Sequence, residues 1–402
     1  MYRILPLLAL GFFAVVPARA QKSVHLSPKP ALVRLIDGSL RQAVNQYKVL
    51  MGRVPADRLP KTYNPYGDKL ETSDARWWTS GFYPGTLFYL YEFSHDTSLL
   101  REAQSRLLLL EKEQYNKGTH DLGFMMYCSY GNGLRLLDRP EYKDVLLNSA
   151  RSLSTRFNPT VGCIRSWDSK PWKYPVIIDN MMNLELLFWA TGVSGDSSFY
   201  RIAVTHANTT MRNHFRPDYS SYHVIDYDTA TGAVLAKKTA QGYADSSAWA
   251  RGQSWGLYGY TVMYRSTHDR RYLEQAEHIA HFILSNVNLP ADKIPYWDYN
   301  APDIPRALRD ASAASVMASA LIELSGYVAP EHGKEYLSVA EQIIVNLSSN
   351  TYKAVVGSNG GFLLKHSVGH LPARSEVDVP LTYADYYFVE AMLRYISLSR
   401  KS

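Results

Sequence analysis

The sequence predicts an all-α protein, six helical hairpins closed into one double-layered toroid, and three observations predict it. After about residue 32, helix-period patterns run almost without a break. Strand-like alternation is short and confined to linkers, as at Ser221 to Tyr227. The helices also alternate in character, amphipathic and charged, then charge-poor, in the manner of an outer and an inner layer repeated six times.

Twelve helices are expected, over residues 33–50, 80–94, 97–113, 121–137, 140–156, 179–191, 197–213, 250–266, 269–286, 310–327, 331–349 and 382–397. From the third on, the odd-numbered members open alike: Asp96-Thr97-Ser98-Leu99, Arg139-Pro140-Glu141-Tyr142, Asp196-Ser197-Ser198-Phe199, Asp269-Arg270-Arg271-Tyr272 and Gly333-Lys334-Glu335-Tyr336. Each has a polar start, an aromatic or Leu, then turns with charge on one face, the signature of a helix with one side in water. The even-numbered members are rich in Gly, Ala, Ser, Met and aromatic residues, and helices without a charged face are buried on most sides. Six hairpins in one ring make residues 21–402 a single domain.

The even helices open with the polar clusters of the chain: Trp77-Trp78-Thr79-Ser80-Gly81-Phe82, His120-Asp121-Leu122-Gly123-Phe124, Asp179-Asn180-Met181-Met182-Asn183, Arg251-Gly252-Gln253-Ser254-Trp255-Gly256, Asp310-Ala311-Ser312 and Thr382-Tyr383-Ala384-Asp385-Tyr386-Tyr387. In a ring of parallel inner helices these six starts share one end, where N–H groups and positive dipole ends converge and suit a carboxylate. The long linkers at 51–79, 157–178, 214–249, 287–309 and 350–381 mostly lead into these starts and are expected to build the rim of the same mouth.

Residues 1–20 read as a signal peptide, with Arg3, an apolar stretch from Leu5 to Val16, and Ala18-Arg19-Ala20 as the cleavage site. Export to a periplasm is therefore expected, with no membrane-spanning segment and no lipid anchor. The formal charge of +6 falls to +4 without the two leader arginines (6 − 2), mild enough to suit an anionic ligand, and no basic run suggests nucleic acid. The two cysteines, Cys128 and Cys163, lie in apolar surroundings and read as buried thiols at least as well as a disulfide. Metal-site, phosphate-loop and Gly-x-Ser-x-Gly patterns are absent, so a carboxylate mechanism without metal or cofactor is the simplest expectation.

Asp121 and Asp179 are the acid/base candidates, since both open inner helices. The competing reading is an N-cap, which Asp fills often. The apolar run Pro175-Val176-Ile177-Ile178 ahead of Asp179 promises burial, which raises a carboxyl pKa toward the range useful for proton donation. His223 sits in a linker and could be an ordinary surface histidine. Gln241, Arg251 and Trp255 lie in a dense polar and aromatic block. Arg can grip a carboxylate, Gln can bond hydroxyls and Trp can stack on a sugar, unless Arg251 merely pairs with Asp245. Seven of the eight tryptophans, all but Trp189, lie in linkers or at helix starts, a skew that favours a binding groove.

In this order, Trp78-Thr79-Ser80-Gly81-Phe82-Tyr83-Pro84-Gly85, His120-Asp121-Leu122-Gly123-Phe124, Asp179-Asn180-Met181-Met182-Asn183, Gln241-Gly242-Tyr243, Trp249-Ala250-Arg251-Gly252-Gln253-Ser254-Trp255-Gly256, Asp310-Ala311-Ser312-Ala313-Ala314 and Asp385-Tyr386-Tyr387 resemble the unsaturated glucuronyl hydrolases, glycoside hydrolase family 88. The likeness spans about residues 33–398 and weakens between about 350 and 381. It implies an (α/α)6 barrel and a lyase-generated glycosaminoglycan oligosaccharide ending in a 4,5-unsaturated uronate, whose C4=C5 vinyl ether is hydrated. It implies Asp179 as acid and then base, Asp121 beside it on the ring hydroxyls, and His223, Gln241, Arg251, Trp255, His120 and Trp78 around the unsaturated sugar. Two rivals stand beside it, an unsaturated rhamnogalacturonyl hydrolase acting on pectin fragments and a non-catalytic glycan-binding protein. Neither the partner sugar nor the oligomeric state is legible.

Overall fold

In the computed structural model, residues 27–137 and 139–398 are described; the expected signal peptide lies outside them. Twelve helical segments follow in the expected order. The outer set is α1 (Pro30–Met51), α3 (Thr97–Leu110), α5 (Pro140–Ser154), α7 (Ser197–Asn213), α9 (Arg270–Ser285) and α11 (Pro330–Leu347). The inner set is α2 (Phe82–Ser94), α4, α6 (Leu184–Ser194), α8 (Ala250–Thr267), α10 (Ala311–Leu324) and α12 (Thr382–Ser397). Segment α4 runs as a π-helix over Gly123–Gly131 and as an α-helix over Asn132–Leu137, and a 3-10 turn over Ile178–Asn183 leads into α6.

Local chemistry sets the outer helices. Asp96, Asp196 and Asp269 each accept a hydrogen bond from a first-turn N–H of the helix they precede, an N-cap contributing about 1 kcal/mol. Pro140 and Pro330 stand at the first position of α5 and α11, where a missing N–H costs nothing. The inner helices are set by burial instead: every residue of α10 but Glu323 is buried, and so is α8 from Ala250 to Met263. α12 packs on both α10 and α2, so the last inner helix closes the ring on the first.

The first turns of the inner helices touch round the axis. Trp78 packs on Tyr383 at 4.9 Å, Phe82 on Phe124 at 5.3 Å, and Phe124 on Trp255 at 5.1 Å. The Phe124 N–H donates to Asn183 Oδ1 at 3.0 Å, and Arg251 pairs with Asp310 at 3.0 Å. These contacts put the starts at one end. The expected regular helix at α4 is corrected to a π-helix where it lies tight against its neighbours. A Cβ on Gly81 would stand 2.2 Å from the Met125 carbonyl, and one on Gly123 would stand 2.5 Å from Asn183 Cα.

The linkers hold the strands. β1 (Leu59–Asn64) pairs with β2 (Lys69–Ser73), and β3 (Phe157–Asn158) with β4 (Cys163–Ile164). β5 (Pro175–Ile177), β6 (Val224–Tyr227) and β7 (Val234–Lys238) form one antiparallel sheet, and β8 (Ser367–His370) pairs with β9 (Ser375–Val379). All four small sheets lie in segments leading to inner-helix starts. Both cysteines are free. Among the described residues, no helix is long and apolar enough to cross a membrane, and no group of His, Cys, Asp and Glu could hold a metal ion.

Candidate active site

Neither Asp121 nor Asp179 caps its helix. No side chain caps the turn that carries Asp179 or the π-helix that follows Asp121, whereas Asp310 does cap α10, accepting from Ser312 N and Ala313 N. The capping explanation therefore fails for the two candidates. Their side chains remain 14% and 10% open to solvent respectively.

Burial pushes the Asp179 carboxyl up to about 7; the nearby Arg251 charge opposes that rise and the Asp121 charge adds to it. A carboxyl poised near neutrality can give a proton and take one back. The local sequence explains the burial: β5 delivers Asp179 from the buried run Pro175–Ile178. Asp179 Oδ2 has no hydrogen-bond partner, and neither do His223 Nε2, Trp255 Nε1, Arg251 Nε or the Tyr383 hydroxyl, all buried. Buried polar atoms left unpaired call for an explanation. These belong to groups that act electrostatically on Asp179 or on one another.

His223 is buried at the start of β6, so the surface-histidine alternative is corrected. Its Nδ1 accepts from the backbone N–H groups of Ala240 and Gln241, both at 3.1 Å. The ring proton must then sit on Nε2, which points toward Asp179 Oδ2 at 3.7 Å. Burial, with the Arg251 charge, pushes the imidazole pKa well down, so His223 is a neutral donor facing the Asp179 carboxyl.

Arg251 does not pair with Asp245, which bonds Lys238 at 2.8 Å on the surface. Its guanidinium is fully buried and already engaged: Nη1 reaches Asp310 Oδ2 and the Val368 carbonyl, and Nη2 the Gly369 carbonyl at 2.6 Å. It therefore ties α8 to α10 and to the β8–β9 hairpin while holding a positive charge beside Asp179. Gln241 joins the same strap, donating from Nε2 to the Gly369 carbonyl at 3.0 Å.

Trp255 is wholly buried, with its ring against Phe124 and Tyr387. A stacking face is thus unavailable; what it offers the site is its buried, unpaired N–H, near enough to Asp179 to favour the charged carboxylate slightly. Trp78 is half-buried among Phe82, Phe124 and Tyr383. The tryptophan skew is only partly a groove, because Trp249 and Trp297 are also buried. Trp167 and Trp172 stand half-buried and edge to face, with Trp167 6.4 Å from His223. His120 is buried and bonds Asn180 Oδ1 at 2.6 Å, lacing the Asp121 segment to the Asp179 turn.

Sequence reasoning missed Tyr383 and Asp310 as individual residues. Tyr383 is buried at the start of α12, 5.3 Å from the Arg251 guanidinium, with its hydroxyl unpaired. Its signal was available: it occupies an inner-helix opening, as the chosen residues do. Among the described residues, a cavity of about 510 Å³ lies along the axis lined by Tyr89, Tyr127, Tyr258 and Glu390, and none of the candidate residues lines it.

Known proteins share this sequence and architecture. The chain is 48% identical over 344 residues to an unsaturated glucuronyl hydrolase of Formosa agariphila, covering 85% of each chain. It is 32% identical over 325 residues to an unsaturated chondroitin disaccharide hydrolase of Streptococcus pyogenes serotype M1, covering 79% of this chain and 81% of that one. A crystal structure of an unsaturated glucuronyl hydrolase specific for heparin superposes with a TM-score of 0.89 at 50% identity, covering 91% of this chain and 98% of the other. No family model matches.

Proposed function

Because the chain belongs to the unsaturated glucuronyl hydrolases, we propose that Asp179 is the group that hydrates the double bond. The enzyme releases the 4,5-unsaturated uronic acid from the non-reducing end of lyase-generated glycosaminoglycan oligosaccharides. Asp179 as the acid gives its proton to C4 of the vinyl ether, and water adds its oxygen to C5 while its proton returns to the carboxylate. The hemiketal at C5 opens to a ketone, the ring oxygen is left as a hydroxyl on C1, and the C1–O bond to the next sugar breaks as that hydroxyl becomes the C1 aldehyde and its proton passes to the departing sugar oxygen. One water is consumed, and Asp179 ends as it began. No carboxylate attacks the anomeric carbon, so the spacing that sorts retaining from inverting glycosidases does not apply.

The observation that carries this reading is the Asp179 carboxyl itself, buried, uncapped and held near 7. Asp121 binds ring hydroxyls and adds negative charge beside the acid. His223 and Trp255 present N–H groups to the Asp179 carboxylate after it has given up its proton. The Tyr383 hydroxyl and the Arg251 charge face the uronate carboxylate, with Gln241, His120 and Trp78 around the ring.

The favoured substrates are unsaturated disaccharides from heparin, on the strength of the likeness to the heparin-specific enzyme; the chondroitin enzyme is the more distant one. Export to a periplasm, resting on the leader-like residues 1–20, would put the enzyme with polysaccharide fragments. The test is a panel of unsaturated disaccharides from heparin, chondroitin, hyaluronan and pectin, followed by loss of the alkene's ultraviolet absorbance. Preference for the heparin products is expected, and preference for the pectin product would restore the rhamnogalacturonyl reading. Asp179→Asn should bind the sugar without turning it over. Unchanged turnover would remove Asp179 from the mechanism.

A further inference from the structure

The axial cavity of about 510 Å³ lies at the end of the ring opposite the catalytic mouth. Its wall takes residues from the last turns of inner helices: Glu92 of α2, Arg135 of α4, and Leu393, Arg394 and Ser397 of α12. Gly123 and Tyr387, near the starts of their segments, mark how deep it runs. The Tyr387 ring packs on Trp255 at 5.4 Å, so Trp255 stands between this cavity and Asp179. A volume of this size suits a small molecule, since such sites span roughly 300–1,000 Å³.

The cavity is aromatic and carries an excess of negative charge. Glu185, Glu323 and Glu390 share one ion-pair network with only Arg265 and Arg394, while Glu92 and Arg135 cancel each other at the mouth. Inner helices also end here, and their last carbonyls add partial negative charge. Glu390 is occupied, accepting from the Tyr89 and Tyr258 hydroxyls at 3.0 and 3.1 Å. Glu185 is the more open acid, with 27% of its side chain exposed, and its charge acts on Tyr127, Tyr258 and Tyr387. Burial raises its carboxyl and Arg265 opposes that rise, so an incoming cation would favour the charged form further. One helical turn on, Trp189 lines the same wall, its ring 6.2 Å from that of Tyr127 and tilted by 53°.

A carboxylate framed by tilted electron-rich rings is what a soft organic cation binds. An anion would meet the excess charge. A bare metal ion takes six or more oxygen ligands, and no group of His, Cys, Asp and Glu among the described residues could hold one. We propose that the axial cavity is a second ligand site, separate from the catalytic mouth, which takes a small organic ammonium ion between Tyr127 and Trp189 and against Glu185.

The test reads binding alone and is independent of which residue hydrates the alkene. Protein labelled with 5-fluorotryptophan is titrated with choline and, separately, with 3,3-dimethylbutan-1-ol, its uncharged isostere. The Trp189 fluorine signal is assigned by comparison with Trp189→Phe. Choline is expected to shift that signal to saturation, and the alcohol to bind at least about tenfold more weakly, as cation recognition by rings requires. Glu185→Gln keeps the side-chain shape and should weaken choline by about tenfold. A Trp189 signal that choline leaves unmoved overturns the proposal. So does an alcohol that binds as tightly as choline, a comparison that needs no variant to fold. Choline binding as tightly to Glu185→Gln as to the unsubstituted protein overturns it as well.

Discussion

Replacing Asp179 with Asn should stabilise the protein as it abolishes turnover, and the gain should depend on pH in a prescribed way. The folded carboxyl titrates at about 7 against 3.8 for an unburied one, because burial penalises its charged form. Below 3.8 both states are protonated, and Asp179 contributes no difference. As pH rises from there, the unfolded chain ionises while the native carboxyl keeps its proton, so native stability falls through that window and levels off above the folded value. Each pKa unit is worth about 1.36 kcal/mol, so the full window amounts to about 4 kcal/mol at most. Asn has no such titration. Urea unfolding of both proteins at pH 4, 5.5, 7 and 8.5 should therefore show a gap that opens from near zero and flattens above 7. Asp385, also raised to about 7 by burial, is common to both and cancels. A gap that is independent of pH, or that closes as pH rises, would refute the claim that burial holds this carboxyl protonated.

The other predictions follow from the same contacts. Trp255→Phe keeps the ring packing but removes the unpaired N–H that favours the charged form of Asp179, so the alkaline limb of the pH profile should move up by as much as about one unit. Tyr383→Phe removes a buried hydroxyl with no partner. Stability should hold or rise slightly, while kcat/KM falls about 10- to 100-fold, the worth of one hydrogen bond to a charged group. Arg251→Lys cannot span Asp310, the Val368 carbonyl and the Gly369 carbonyl together, and chemical denaturation should show a loss of about 3–5 kcal/mol. Gly369→Ala would place a methyl 2.4 Å from Glu376 Oε2. It should raise KM and lower the melting temperature through the rim, with the Asp179-dependent pH limb unmoved.

Much of this was legible in the sequence because it is local. Helix α10 is nearly free of charge, and helices α3, α7 and α9 begin with Asp96, Asp196 and Asp269, so both layers declare themselves within one window of residues. The aspartates opening inner segments were findable for the same reason, as was the burial that Pro175 to Ile178 brings to Asp179. What stayed hidden is long-range. Arg251 finds Asp310 59 residues away and Gly369 118 residues away, and no spacing rule announces either. Trp255 reads as a stacking residue until its neighbours Phe124 and Tyr387 are known to cover it. The π-helix at Gly123–Gly131 likewise depends on what packs against it. The proton placement on His223 depends on backbone donors from another segment, Ala240 and Gln241, and only three-dimensional contacts reveal it.

The most direct measurement is the product of the first turnovers in deuterium oxide, trapped by reduction before the new ketone exchanges its neighbouring hydrogens. If Asp179 protonates the alkene from one side, the released uronate carries one deuteron at C4, on a single face, and no double bond. A released sugar that keeps its C4=C5 bond would mean cleavage at the anomeric carbon, and Asp179 would then not be the acid that hydrates the alkene.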